Sequence, residues 1–219
     1  MFSKGSVMLS EEVEALFTRE NGDFVFARWG RPLAPMAVGV TDDSLAVIKG
    51  AFEAVTAVAG HEMVDADPEL GSNCIFFFFQ DWAEMRDVPE LDRVMPDLEG
   101  LIGRLEEAKA NQYRAFRFDE KGAILAAYIF LKMDAQLSDV PADVLSLSQV
   151  AQTILCWSDT AFQDRSPLAT ADGVTILRPD VSKLIRAAYD PALPNASRDP
   201  SLALRLHARM EMEPAENAQ

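Results

Sequence analysis

The side chains best suited to metal binding are few and far apart in this chain. Its 219 residues contain two histidines, His61 and His207, and neither has a second histidine four positions along. A zinc site takes three or four protein ligands, so carboxylates or cysteines would have to complete any set here. We therefore expect no metal site built on histidine, with His61 in a loop and His207 on a solvated helix face.

No nucleophile in the sequence is accompanied by the groups that would activate it. A catalytic serine or cysteine needs an adjacent base, and no G-x-S-x-G motif occurs. Cys74 and Cys156 each lie in an apolar run, where burial favours the packed, reduced thiol over the reactive thiolate. The glycine-rich phosphate-binding loops are also absent from the sequence. We expect no catalytic residues and no bound cofactor.

An acidic stretch over 62–69 holds the remaining candidates for a cation site. Asp65 and Asp67 are spaced like the start of a calcium loop, but Pro68 follows and no bidentate Glu lies at the position such a loop requires. A solvated loop is the favoured interpretation. A hydrolase that uses carboxylates such as Asp65, Asp67 or Asp159 around a metal stays open as an alternative.

Hydrophobic spacing and turn residues predict the elements that must position these groups. The apolar run 74–79 lacks alternation, which predicts a central strand covered on both faces. Two β-rich runs flank Asp119–Gly122 and predict a hairpin. Apolar residues that recur every three or four positions predict the helices. The predicted helices cover 10–22, 42–60, 98–105, 143–157 and 181–188 and begin again at 199, and the predicted strands cover 24–29, 36–40, 62–67, 74–79, 114–118 and 123–133. Between these, 81–97 is predicted to be irregular, and a long loop is predicted after 157.

The order of these elements predicts an α+β (α/β) fold. We expect a mixed β-sheet packed with helices, followed by a helical C-terminal part. The predicted organisation is an N-terminal helix in 1–22, one domain over 23–210 and a flexible tail over 211–219. A chain of this length buries roughly 70% of the surface that its unfolded form exposes, so stability requires neither a metal nor a disulfide.

The net charge of −15 is spread along the whole chain. Such a surface repels phosphate backbones and anionic lipid heads, so we expect neither nucleic acid nor a membrane as a partner. No apolar stretch has the length of a signal peptide or a membrane span. This favours a cytoplasmic location, or a periplasmic one if a leader is missing. The last helix, with Leu202, Leu204 and Leu206, could supply a homodimer interface, which would fit a structural or assembly role.

Two stretches together resemble a proteobacterial family of unknown function whose members are often described as secreted proteins or lipoproteins. The first reads Arg28-Trp29-Gly30-Arg31-Pro32, and the second runs from Ser148 to Asp159 and on to Tyr189-Asp190. The likeness covers about residues 24–195. That family is itself similar to the zincin metalloproteases, so the resemblance implies a zincin-like mixed sheet.

The resemblance also implies that this chain has lost the zincin chemistry. Ser148 and Gln152 take the positions of the two His ligands on the zincin active helix, and Gln149 takes that of the catalytic Glu. Hydroxyl and amide oxygens are poor zinc ligands beside imidazole, and an amide cannot act as a general base near neutral pH. The implied function is a non-catalytic domain that binds a protein or a small molecule in a cleft lined by Ser148, Gln149, Gln152 and Asp159. Alternatively, these side chains form only the solvent face of an amphipathic helix.

Overall fold

The computed structural model describes residues 8–212, which have the predicted α+β fold. One four-stranded sheet is formed, in spatial order, by β2 (Pro35–Val38), β3 (Cys74–Phe79), β5 (Ile124–Lys132) and β4 (Gln112–Phe118). The first three strands are parallel, whereas β4 runs antiparallel to β5 and forms one edge of the sheet. Two short antiparallel ladders pair β1 (Phe26–Ala27) with β8 (Ala196–Ser197), and β6 (Leu168–Ala171) with β7 (Val174–Leu177).

Helices cover both faces of the sheet. They are α1 (Ser10–Ala15), α2 (Asp42–Ala59), a 3-10 helix (Trp82–Asp87), α3 (Leu91–Val94), α4 (Leu98–Glu107), α5 (Ala135–Ser138), α6 (Ala142–Ala151), α7 (Pro179–Ala188) and α8 (Ser201–Met212). One apolar cluster includes residues of α2, α6, α7 and α8, and a second includes residues of the 3-10 helix and α4. Among residues 8–212, no helix has both the length and the hydropathy needed to cross a bilayer.

Strand β3 lies inside the sheet between these two clusters, as its apolar run predicts. Successive side chains of a strand point to opposite faces. Cys74 and Phe76 accordingly lie in the first apolar cluster, and Phe77 and Phe79 lie in the second. The strand therefore has no polar face, which is why the sequence 74–79 shows no alternation.

Local turn chemistry fixes several ends where the sequence predicts them. The Thr41 hydroxyl accepts a hydrogen bond from the Ser44 amide (3.3 Å) and caps α2. Gly60 ends that helix in the left-handed conformation, with φ of 62°. In the β4–β5 hairpin, the Asp119 carboxylate accepts from the Ala123 amide (2.9 Å), and Gly122 has φ of 83°.

The helix predicted over 143–157 begins one residue earlier and ends well before its predicted end, at Ala151. Residues 152–157 leave the helix because contacts with distant parts of the chain replace the helical hydrogen bonds. The indole of Trp29, for example, donates to the carbonyl of Thr153 (3.1 Å). The segment that follows Ala151 forms one wall of a cavity.

Several other predicted boundaries also differ from the structure. The loop predicted after 157 contains the β6–β7 hairpin, which turns at Asp172 and Gly173, both with positive φ. The stretch 81–97 contains two short helices rather than irregular chain. Helix α1 is capped by Leu9 instead of Ser10, only Phe26–Ala27 of 24–29 form a ladder, and 62–67 makes only isolated bridges, at Met63 and Asp67.

The C-terminal helix is part of the core. Leu202 and Leu206 of α8 are buried in the first apolar cluster, and only Leu204 is exposed, at 61%. Two of the three leucines assigned to a homodimer interface therefore pack inside the molecule. Helix α8 continues to Met212, into the predicted tail, and 213–219 lie outside the described residues.

The loop between α2 and β3 is organised around the buried carboxylate of Asp67. Its oxygens accept hydrogen bonds from the amides of Glu69 and Leu70 (2.9 Å each), from Arg31 (3.2 Å) and from Asn73 (3.1 Å). Burial by itself raises the pKa of Asp67, but the bonds from Leu70, Glu69, Arg31 and Asn73 outweigh it and lower that pKa to about 2. The carboxylate named as a calcium candidate is thus fully occupied by the fold.

Replacing Asp67 with Asn should lower the free energy of unfolding at pH 7 by about 2 kcal/mol, because an amide nitrogen would then face hydrogen-bond donors. The pKa of the folded state lies below the unfolded value, so the carboxylate stabilises the fold fully above pH ~4. That contribution is lost as the pH falls from about 4 towards 2. Urea denaturation of wild type and Asp67→Asn should show that their difference in the free energy of unfolding becomes smaller across this pH range. Asp92→Asn, at an exposed position, is the control. A difference that is equal at pH 7 and pH 2.5 would contradict this account.

Candidate functional site

A cavity of about 680 Å³ lies between β4 and the segment 152–163 that follows α6. This volume is typical of sites for small molecules. Its surface combines aromatic side chains such as Trp157 and Phe162 with amides such as Gln152. The cavity therefore offers both apolar area and hydrogen-bonding groups.

The wall opposite β4 is held by hydrogen bonds to the stretch 26–29. The Cys156 amide donates to the Ala27 carbonyl (2.9 Å), and the Trp29 indole donates to the Thr153 carbonyl (3.1 Å). Because buried backbone groups must find partners, these bonds fix the path of the segment. This wall is thus held in place by a stretch that lies more than a hundred residues earlier in the sequence.

Three residues of the family resemblance, Arg28, Trp29 and Tyr189, support this wall and do not border the cavity. The Tyr189 hydroxyl donates to the Ile154 carbonyl (2.8 Å) and accepts from the Trp29 amide (3.4 Å). The Arg28 guanidinium lies 5.4 Å from the centre of the Tyr189 ring, and burial lowers the pKa of Arg28. These three side chains form one buried network.

Arg31, Pro32 and Asp190, which belong to the same resemblance, are structural as well. The Arg31 carbonyl accepts from His61 Nε2 (2.9 Å), and the Pro32 carbonyl accepts from Asn73 (2.9 Å). Asp190 pairs with Arg209 of α8. His61 lies in the loop after α2, as predicted, where its ring packs against Tyr189 and burial lowers its pKa.

Of the four side chains predicted to line a cleft, two border the cavity. Gln152 is half-buried there, and Asp159 is exposed at the same cavity. Ser148 accepts a hydrogen bond from the Gln152 amide (3.0 Å) and is not part of the cavity surface. Gln149, only 2% exposed, is hydrogen-bonded to β4 and does not line the cavity.

Gln149 instead positions an arginine of β4. Its carbonyl oxygen accepts from the Arg114 guanidinium, and its amide nitrogen donates to Gln112 (2.8 Å). Among residues 8–212, the only buried side-chain nitrogen or oxygen without a hydrogen-bond partner is Arg114 Nε. Burial lowers the pKa of Arg114 to about 10, which leaves the group charged at neutral pH.

Arg19 and Arg114 both border the cavity, and neither forms an ion pair with a described carboxylate. Arg19 contacts the sulfur of Cys156 (3.0 Å). Neither arginine was predicted from the sequence to be a site residue. A signal for Arg114 was available, since it lies two positions before Phe116 in the predicted strand 114–118 and therefore shares a face with it.

Cys156 does not provide a nucleophile, although it lines the cavity. Burial raises the pKa of its thiol, and the nearby Arg19 guanidinium offsets only part of this effect. The second cysteine, Cys74, is free and buried in β3, and burial raises its pKa as well. The two thiols are therefore packed side chains, as their apolar surroundings predict.

The carboxylates considered for a metal-dependent hydrolase do not share one site. Asp67 is engaged by the loop before β3, Asp159 lies at the large cavity, and Asp65 lines a separate apolar pocket beside β2. Within 8–212, no three His, Cys, Asp or Glu side chains are grouped so that they could hold a metal ion.

Replacing Gln149 with Ala should lower the free energy of unfolding by about 2–3 kcal/mol, because the buried groups of Arg114 and Gln112 would lose their partner. Chemical denaturation measures this directly. Gln163→Ala is the matched control, since that glutamine is exposed at the same cavity and should change stability by no more than about 0.5 kcal/mol. Equal effects of the two substitutions would show that Gln149 does not support β4.

No known protein family, curated protein or solved structure matches the chain. The resemblance to the zincin-related family thus stays a prediction from the residues quoted for it.

Proposed function

We propose that this chain is a non-catalytic, zincin-like binding domain whose ligand occupies the cavity between β4 and 152–163. The observation that carries the proposal is that both walls are fixed by hydrogen bonds: β4 by its ladder to β5, and the opposite segment by its bonds to 26–29. A preformed concave site of this size is typical of ligand recognition. Gln152 and Asp159, identified from the sequence as cleft residues, both lie on its surface.

The chemistry of these side chains supports binding rather than catalysis. A zincin-type reaction needs imidazole ligands and a carboxylate base. The side chains of Ser148 and Gln152 are hydrogen-bonded to each other. The Gln149 amide is hydrogen-bonded to Gln112 and Arg114. The one thiol at the cavity, Cys156, is buried and has a raised pKa.

We propose a cytoplasmic location and partners other than nucleic acid and membranes. The net charge of −15 supports the choice of partners, because it repels polyanions and anionic lipid. Two free thiols buried in different parts of the fold support a reducing compartment.

The cavity can be tested with three naphthalene probes of similar shape and different charge: 2-naphthoate, 2-naphthylmethanol and 2-naphthylmethylamine. At least one should bind with one-to-one stoichiometry in isothermal titration calorimetry. Gln152→Trp should weaken that binding at least tenfold, because the larger side chain would fill the cavity. Gln136→Trp, the same substitution at an exposed position outside the cavity, should leave the affinity unchanged.

Two outcomes would overturn the proposal. One is the absence of binding by all three probes, or binding that Gln152→Trp does not weaken. The other is stoichiometric zinc or manganese in protein purified without chelator, since this would favour the hydrolase alternative.

A further inference from the structure

We infer that the cavity selects an organic monoanion, a small molecule with one carboxylate and an apolar body. The inference rests on the proposed function, because it assigns a ligand class to the same cavity. Its starting point is the presence of two guanidinium groups, Arg19 and Arg114, on one concave surface without a carboxylate partner among the described residues.

Some arginines elsewhere in the molecule form ion pairs, whereas Arg28, Arg117 and Arg205 are held by neutral oxygens. Acidic residues outnumber basic ones, 35 to 20, so carboxylate partners are abundant. Seven other described arginines pair with one: Arg31, Arg86, Arg93, Arg104, Arg165, Arg178 and Arg209. Arg19 and Arg114 differ from Arg28, Arg117 and Arg205 in that both border the same cavity.

The surroundings of Arg114 favour a carboxylate as the missing partner. Its guanidinium donates to neutral amide oxygens, those of Gln149 and Gln112, and forms no ion pair with a described carboxylate. A cation removed from water is costly unless it is paired. The planar guanidinium matches the two oxygens of a carboxylate and binds them through charge-assisted hydrogen bonds.

The aromatic wall favours a ligand with an apolar body. The Trp157 ring is stacked on the Phe17 ring, with 5.3 Å between the ring centres. It packs edge to face with the Phe162 ring, with 5.1 Å between the centres. Trp157 and Phe162 both border the cavity, as does Phe116 from β4. Because Trp157 is only 5% exposed, the apolar area open to a ligand comes mainly from the half-buried Phe116 and Phe162. Covering that area is favoured in proportion to its size.

The overall charge favours a single negative charge over several. A protein of net charge −15 repels an approaching anion, and the repulsion grows with the charge of that anion. Asp159 adds a carboxylate at the cavity itself. Nucleotides and other polyanions are therefore disfavoured relative to an apolar monocarboxylate.

The test compares 2-naphthoate with the neutral 2-naphthylmethanol by calorimetry at low ionic strength. Naphthoate should bind at least tenfold more tightly. Arg19→Gln and Arg114→Gln should each remove at least tenfold of the naphthoate affinity. Arg117→Gln is the matched control on β4, since that arginine is exposed, donates to the Val94 carbonyl (2.7 Å) and lies outside the cavity; it should leave both affinities unchanged.

Gln149→Glu gives a second test that keeps the arginine. The new carboxylate would pair with Arg114 inside the protein, so naphthoate should lose at least tenfold in affinity while naphthylmethanol binds as before. Circular dichroism shows whether each variant folds. If Arg114→Gln does not fold, Arg19→Gln and Gln149→Glu provide the test.

The outcomes separate this inference from the proposed function. If both probes bind equally and Gln152→Trp weakens both, the anion inference is overturned and the binding cavity stands. If ADP binds more tightly than naphthoate, the preference for a monoanion is overturned. If neither probe binds, the inference and the proposed function both fail.

Discussion

The architecture around the cavity depends on one contact, where the stretch 26–29 meets the segment 152–157. There the Ala27 carbonyl receives the Cys156 amide, and the Thr153 carbonyl receives the Trp29 indole. A helix end leaves backbone groups without intrahelical partners, and here those groups are satisfied by a distant strand. The contact ends α6 at Ala151 and directs the following chain across from β4.

The second constraint is electrostatic and lies on the opposite wall. Arg114 is a partly buried cation whose neighbours are glutamines, and removing charge from water usually demands an opposite charge. The amide oxygens of Gln149 and Gln112 hold the guanidinium in place without neutralising it. At the position that the family resemblance gives to a catalytic glutamate, this chain has Gln149. Because its amide is neutral, Gln149 leaves the arginine charged and without an ion pair.

Features set by neighbouring residues could be predicted from the sequence, and features set by distant contacts could not. The cap at Thr41, the left-handed Gly60 and the uniform apolar run of β3 follow from local chemistry, so α2 and β3 were predicted correctly. The end of α6 depends on a bond between Trp29 and Thr153, which are 124 positions apart. The arginines of the cavity were missed for the same reason, since Arg19 meets Cys156 across 137 positions.

The site residues show which chemical signals identify a binding site. Arg28, Trp29 and Tyr189 are the most distinctive residues of the sequence, yet their hydrogen-bonding and stacking capacity is used up by one another and by the backbone. Arg114 occurs in an ordinary strand sequence, and it is the residue whose bonding capacity the fold leaves unfilled. A scaffold satisfies its own polar groups because leaving them bare costs free energy. A group left unsatisfied beside a cavity therefore points to a partner from outside the chain, and a distinctive residue type alone does not.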